Sequence, residues 1–188
     1  LGNKKNVLPL AKVDTMKILD IVISDTEDEA DGLMFHRLAR QRYGNIAFAK
    51  IDSRSNRMEY DSVIASAKAA DKLLLQLHLY TRSGEMTGFV DSTQAQLVKT
   101  LATLGKPMIG ISWGNPYVAM DLPRFDAYVC AYSDADCMQQ SVAEILFAEE
   151  PAKGKLPIAI PGVYKFGEGI EYPKLTLGEG SPEEAGFD

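Results

Sequence analysis

The first candidate for chemistry is the segment Gly110-Ile-Ser-Trp-Gly114, which matches the G-x-S-x-G pattern of a serine nucleophile at the end of a strand. A hydrolase of that kind needs a histidine after the serine, but His36 and His78, the two histidines of the chain, both precede Ser112. A helix is not expected to start directly at the serine, because Asn115 precedes Pro116 and the residue before a proline avoids the α region. The pattern therefore favours a serine in a strand-to-loop turn. A free-standing serine hydrolase using Ser112 is kept as an alternative.

A second candidate is the loop at 80–89, which follows an apolar strand. Arg82, Glu85 and two glycines give this loop the composition of a mobile active-site loop. Four of its residues are expected to contact a substrate or a neighbouring domain: Arg82, Ser83, Gly84 and Glu85. Glu85 is the one acid of this group that could serve catalysis. Retaining glycoside hydrolysis needs two carboxyl groups about 5 Å apart, so Glu85 alone cannot perform it. We assign no catalytic residue to the chain, and a plain solvated loop is the alternative.

Trp113, the only tryptophan, and Asn115 follow the predicted strand at 108–112. The carboxyl edge of a parallel sheet is where ligand sites of α/β proteins usually form. Two interpretations of Trp113 stay open: its ring stacks on a sugar, or it packs against a neighbouring domain. We assign both residues to a substrate-binding or domain-interface surface.

Neither a cofactor nor a metal site is predicted. The loop after the first strand, Asp25-Thr-Glu-Asp-Glu29, would repel a phosphate, and Asp25 itself suits an N-cap or a surface carboxylate. His36 and His78 each lack a second histidine at metal-ligand spacing. No glycine pattern of a nucleotide site occurs. A flavodoxin-like small-ligand-binding module is the second alternative.

Apolar strands alternate with amphipathic helices along the chain. Strands are predicted at 16–24, 45–51, 72–78, 108–112 and 126–132, with a brief closing strand at 154–161. Helices are predicted at about 27–43 and 59–70, from Asp91 or Ser92 to 104, from Pro116, and from Ser133 or Asp134. The first helix is expected to have an acidic first turn and Gly44 as its C-cap. This alternation indicates a mainly parallel sheet in a three-layer α/β/α sandwich, a flavodoxin-like arrangement.

The chain is expected to divide into a lead-in at 1–15, the sandwich domain at 16–161 and a tail or linker at 162–188, where the periodic pattern stops. A helix start signal at Ser181 has no helix after it, so we expect an excised domain. The net charge of −6 argues against a nucleic-acid partner. The apolar runs are too short for a membrane span. Cys130 and Cys137 are interpreted as small buried hydrophobes.

Four segments together resemble one known family. They are Lys106-Pro-Met-Ile-Gly-Ile-Ser-Trp-Gly-Asn-Pro-Tyr117, Gly154-Lys-Leu-Pro-Ile-Ala-Ile-Pro161, Asn6-Val-Leu-Pro-Leu10 and Ala143-Glu-Ile-Leu-Phe147. In this order they resemble the C-terminal domain of family 3 glycoside hydrolases. The Ser-Trp-Gly-Asn-Pro-Tyr version looks like the β-N-acetylglucosaminidase branch.

The resemblance implies a domain without its own catalytic centre, because the nucleophile of this family lies on a separate barrel domain. In the glucosidase-like branch the second domain supplies a general-acid glutamate in a Glu-x-x-Asp-Arg context. Glu85 stands in the corresponding loop, but Gly88 and Phe89 occupy the places of the Asp and Arg. In the N-acetylglucosaminidase-like branch a His–Asp pair on the barrel supplies the acid.

The implied partners are therefore an N-terminal barrel of the same parent chain and a carbohydrate, terminal β-linked N-acetylglucosamine, at the shared interface. No cofactor is implied, and the fragment alone is expected to be inactive. The end of the chain, Gly180 to Asp188, looks like the entry to a serine β-lactamase-type domain. Peptidoglycan amino sugars and a periplasmic or extracellular parent are the expectations that follow.

Overall fold

The structure, a computed structural model, describes residues 2–3, 7–10, 15–81 and 88–171 of the 188-residue chain. Six strands form one sheet: β1 (Gly2–Asn3), β2 (Ile18–Ser24), β3 (Ile46–Ile51), β4 (Lys72–His78), β5 (Met108–Ser112) and β6 (Ala127–Cys130). The α-helices within the described residues are α1 (Leu33–Arg42), α2 (Arg57–Ala69), α3 (Ser92–Ala102) and α4 (Asp136–Leu146). A 3₁₀ helix at Pro116–Met120 lies between β5 and β6.

The sheet order is β1-β6-β5-β4-β2-β3. Strands β2 to β6 pair in parallel, and only the two-residue β1 pairs antiparallel, with β6. The chain leaves β2 toward β3 on one side and returns to place β4 on the other side. This reversal puts a topological switch point between the carboxyl ends of β2 and β4, where Ser24 pairs with His78. The predicted mainly parallel sheet is confirmed.

Helices cover both faces of the sheet, because successive strand residues point to opposite sides. One buried cluster joins Leu19 and Leu75 to Val63 of α2 and Leu97 of α3. The other cluster joins residues such as Leu74 and Ile109 to side chains of α1 and α4. Each fully buried aliphatic side chain contributes roughly 1.5–3 kcal/mol. Because helices pack on both faces of one sheet, the predicted three-layer α/β/α sandwich is confirmed.

Helix α1 starts later than predicted, at Leu33 and not near Glu27. Its N-cap is Gly32 at φ 78°, and a Cβ there would lie 2.1 Å from Cγ2 of Val22, so the chain turns sharply at a position that only glycine fits. The acidic residues precede the helix, whose first turn contains no acid. Its C-cap is Tyr43 in extended conformation, and the expected Gly44 cap is wrong.

Side-chain capping fixes two of the other helices. Asp91 caps α3 in a capping box with Gln94, which confirms one of the two predicted caps. Asn56 caps α2 in the same way with Glu59, so this helix begins at Arg57, two residues before the predicted start. Helix α4 begins after Ala135 without a side-chain cap, and the predicted caps Ser133 and Asp134 are wrong.

The predicted closing strand at 154–161 is also wrong. The described segment there contains only an isolated bridge between Ile160 and Tyr164. Its apolar residues nevertheless pack on the face covered by α2 and α3, where the Tyr164 ring stacks on Tyr128 at 5.9 Å. Residues after 161, such as Tyr164, thus still pack on the hydrophobic core of the domain.

Both cysteines are free, with Cys130 half-buried and Cys137 exposed, so the prediction of burial is wrong for Cys137. Among the described residues, no helix has the length and apolarity that crossing a membrane would require.

Candidate functional site at the carboxyl edge of the sheet

The loop after β4 is anchored at both of its described ends by one carboxylate. Oδ2 of Asp25 accepts hydrogen bonds from the backbone N–H of Tyr80 (3.3 Å) and of Gly88 (3.2 Å). Asp25 therefore organises the neighbouring loop, and its expected role as an N-cap is wrong. The residues between these anchors, including Arg82, Ser83, Gly84 and Glu85, lie outside the described residues, and their assignment stays a prediction.

Asn115 joins this loop to the one after β5. Its Nδ2 donates to the carbonyl of Gly88 (2.9 Å), and its Oδ1 accepts from the backbone N–H of Tyr117 (3.0 Å), which caps the 3₁₀ helix. The side chain is only 7% exposed. Asn115 is thus a positioning residue, placed between two loops of the carboxyl edge.

Trp113 lies inside the domain, fully buried. Its Nε1 donates to Oε1 of Gln76 (3.1 Å), and its ring packs edge-on against Phe35 and beside His78. A ring with no exposed surface cannot stack on a ligand, so the interpretation in which Trp113 stacks on a sugar does not agree with the structure.

Ser112 has the surroundings of a structural serine. It is 1% exposed, and its Oγ donates to the carbonyl of Asn115 (2.8 Å). Gly114 follows in a tight turn, where a Cβ would lie 2.2 Å from the carbonyl oxygen of Leu79. A buried hydroxyl whose proton bonds a backbone oxygen is not an activated nucleophile, which requires an adjacent base. The structure supports the turn that the sequence favours.

A groove of about 370 Å³ opens at this edge. Its lining comes from the ends of β4, β5 and β6: Tyr80, Thr81, Gly114, Asn115, Pro116, Tyr117 and Tyr132. Tyr117 and Tyr132 keep 38% and 44% of their surface exposed. Tyr132 also has a φ of 65°, an uncommon conformation for a bulky residue that marks functional sites more often than ordinary loops. The groove therefore presents two exposed aromatic rings beside the loop that contains Glu85.

Sequence reasoning missed these two tyrosines. Tyr132 was placed at the end of a predicted strand, but β6 ends at Cys130, and Tyr117 was noted only as part of a motif. An aromatic residue at the end of a predicted strand, or in the loop that follows one, was the available signal, and the sequence does not show which such rings stay exposed.

A buried polar network lies beneath the groove on the face covered by α1 and α4. Asp20, fully buried in β2, accepts hydrogen bonds from Nδ1 of His36 (2.9 Å) and Nε2 of Gln76 (3.0 Å). Burial raises the pKa of Asp20 above its ordinary value, although both hydrogen bonds act to lower it. Oε1 of Gln76 lies 3.3 Å from Nε2 of His78. Burial lowers the pKa of His78 to about 4.

One group of side chains in the described residues could hold a metal ion, namely Asp31, His78 and Asp134. The sequence predicted no metal site, because the three residues are distant in the chain and meet only where the strands end.

The comparisons with known proteins agree with this architecture. The profile of the Glycosyl hydrolase family 3 C-terminal domain matches residues 1–178. The chain belongs to this family. No curated protein sequence matches the chain.

Solved structures of glycosidases share the fold. A fungal multi-domain family 3 β-N-acetylglucosaminidase superposes with a TM-score of 0.68 at 23% identity, over 86% of this chain and 18% of that chain. A β-glucosidase from Listeria innocua superposes with a TM-score of 0.65 at 22% identity, over 86% of this chain and 25% of that one. A β-N-acetylglucosaminidase from Paenibacillus sp. gives 0.56 at 14% identity, over 72% and 26%. The chain therefore spans about a quarter or less of these enzymes.

Proposed function

We propose that this family 3 C-terminal domain has no catalytic centre of its own and walls the carbohydrate site of a parent enzyme that releases terminal β-linked N-acetylglucosamine. The exposed aromatic groove at the carboxyl edge is the observation that supports the proposal most directly. An exposed tyrosine offers an apolar ring face and a polar hydroxyl, which together suit a ligand that has both apolar and polar surface. The carboxyl edge of the sheet is also where α/β domains usually bind ligands.

The partner in this proposal is the N-terminal barrel domain of the same parent chain. The barrel would dock on the carboxyl edge and supply the nucleophile, and the carbohydrate would lie between the two domains. Tyr117 and Tyr132 would face that interface. Arg82, Ser83, Gly84 and Glu85 would contact the sugar or the barrel from the adjacent loop.

The proposed roles of Trp113 and Asn115 are indirect. Trp113 would stabilise the carboxyl edge from the interior of the domain, where its Nε1 donates to Gln76. Asn115 would hold the two loops of this edge together through its hydrogen bonds with Gly88 and Tyr117. Glu85 is a contact residue in this proposal and not the general acid. Peptidoglycan amino sugars are the proposed natural substrates, on the resemblance of the motifs and of residues 180–188.

The two alternatives have less support. A serine hydrolase using Ser112 is not favoured, because that hydroxyl is buried and bonded to a carbonyl. A flavodoxin-like phosphate loop is not favoured, because the loop after β2 is acidic and Asp25 bonds the loop after β4.

The test replaces Tyr117 and Tyr132 by alanine, singly and together, in the full-length gene product that contains this chain. The expected result with a β-linked N-acetylglucosamine disaccharide is a KM raised by about 10-fold or more in the double variant, because one lost stacking contact weakens binding by roughly 1 kcal/mol. Phe166→Ala is the control, since this ring is 74% exposed and does not line the groove. Unchanged KM and kcat in the double variant would exclude the groove from the site.

A further inference from the structure

Three side chains from distant parts of the chain meet at the switch point of the sheet. His78 ends β4, Asp31 precedes α1, and Asp134 precedes α4. One ligand-type atom from each lies within 4.8 Å of the others, and Nδ1 of His78 is 3.8 Å from Oδ1 of Asp31. His78 is 1% exposed, whereas both aspartates are half-buried and retain some contact with solvent.

The hydrogen bonds of Gln76 fix the tautomer of His78. The amide Nε2 of Gln76 donates to Asp20 (3.0 Å), and its Oε1 accepts from Nε1 of Trp113 (3.1 Å), so the amide orientation is set by groups other than the histidine. An amide oxygen only accepts. Nε2 of His78, 3.3 Å from that oxygen, therefore bears the ring proton, and Nδ1 presents its lone pair to the two aspartates.

Asp31 is oriented toward the same point. Its Oδ2 accepts from Oγ of Ser24 (2.5 Å) and from Oγ1 of Thr26 (2.6 Å), which leaves Oδ1 turned to Nδ1 of His78. These hydroxyl bonds hold one carboxylate oxygen in place, as the outer hydrogen bonds of metal-binding carboxylates do.

The converging atoms are all acceptors, and the described residues supply too few donors for them. The hydroxyl of Tyr80 lies 3.3 Å from Nδ1 of His78 and also bonds Asp134. A phenol has one proton, so it cannot donate to both partners. Burial raises the pKa of Tyr80, and the hydrogen bond to Asp134 raises it further, as expected when the phenol donates its proton to that carboxylate. The lone pair on Nδ1 of His78 then has no donor among the described residues and faces two carboxylates, an arrangement that a bound cation would stabilise.

We propose that Asp31, His78 and Asp134 bind one divalent transition-metal ion. One imidazole nitrogen and two carboxylate oxygens suit Zn²⁺ better than Mg²⁺ or Ca²⁺, which prefer oxygen ligands alone. The Nε2–H of His78 on the Gln76 oxygen is the outer contact that a metal-binding histidine normally makes. The ion would fasten the end of β4 to the segments that precede α1 and α4, directly beside the groove. This inference does not depend on the proposed glycosidase.

The test is calorimetric titration of Zn²⁺ into the chain after EDTA treatment, with Cys137→Ser as the common background so that the exposed thiol does not contribute. One equivalent is expected to bind in the micromolar range or tighter. Asp31→Asn and Asp134→Asn should each weaken binding by 10-fold or more. Mg²⁺ at the same concentration should give no comparable signal.

Asp136→Asn is the matched control, because Asp136 is an exposed acid two residues from Asp134. It should bind as the parent does, and circular dichroism in EDTA should show that all variants are folded. Absence of saturable one-to-one binding would overturn the inference. Equal affinity in the parent and in both site variants, or equal weakening by Asp136→Asn, would also overturn it.

Discussion

At the scale of single residues, Gln76 connects the interior of the domain to its carboxyl edge. Its amide group bonds Asp20 and Trp113 and lies within hydrogen-bonding distance of His78. All four residues are at most 1% exposed, so none of them can exchange a lost partner for bulk water. Gln76 is therefore the residue at which a small change should affect both stability and the edge.

Replacing Gln76 by leucine should destabilise the chain by about 2–4 kcal/mol, because Asp20 loses a donor and the Trp113 N–H loses its acceptor in a dry site. Urea denaturation followed by Trp113 fluorescence measures the change. Gln96→Leu on α3 is the matched control, since Gln96 is exposed, and it should shift stability by less than about 0.5 kcal/mol. A Gln76→Leu variant as stable as the parent would refute the network.

Gly114→Ala tests the turn that shapes the groove floor. The added Cβ would lie 2.2 Å from the carbonyl oxygen of Leu79, and a backbone atom cannot move aside cheaply. We expect a loss of about 2 kcal/mol or more in the same denaturation assay. Gly44→Ala should be neutral or slightly stabilising, because no atom lies within 4 Å of the position that the new methyl group would take and the unfolded chain loses freedom. Equal effects at both glycines would contradict the tight turn.

Some residue assignments could not come from the sequence. The indole N–H of the buried Trp113 has its acceptor on Gln76, which is distant in the chain. In the sequence, Gln76 is only a single polar residue within an apolar strand. The exposure of Tyr132 depends on where β6 ends and on its positive φ, and neither is encoded by a recognisable local pattern.

At the scale of elements, some strand ends were predicted correctly and others were not: β2 starts two residues later and β6 ends two residues earlier than predicted. β4 and β5 begin and end at the predicted residues. In both cases a continuous apolar run lies between the end of a helix and a loop, and these two boundaries mark where the strand starts and stops. Helix starts were less predictable when several capping residues were available. The segment before α1 contains many acids that suit a first turn, yet Asp31 is held by Ser24 and Thr26 before the helix begins.

Asp91→Ala should destabilise the chain by about 1 kcal/mol, because Asp91 accepts from the backbone N–H of Thr93 (2.7 Å) and Gln94 (2.8 Å) at the start of α3. Thermal unfolding measures the change. Asp91→Asn keeps an accepting oxygen and should retain most of the stability. A loss as large with asparagine as with alanine would mean that charge, and not capping, is the stabilising factor.

At the scale of the whole molecule, the alternation of strands and helices predicted the layers and the sheet, and four motifs predicted the family. The partner domain, the sugar and the metal ion are proposals, because each depends on atoms brought together by the fold or on a second domain. The groove and the cluster of Asp31, His78 and Asp134 lie at the same edge of the sheet.

The most direct measurement is hydrolysis of a nitrophenyl β-N-acetylglucosaminide by this chain alone and by the full-length gene product. The account predicts turnover by the full-length protein, with a higher kcat/KM than for the nitrophenyl β-glucoside, and no turnover above background by the chain alone. Turnover by the isolated chain, lost on Glu85→Gln or Ser112→Ala, would contradict the account.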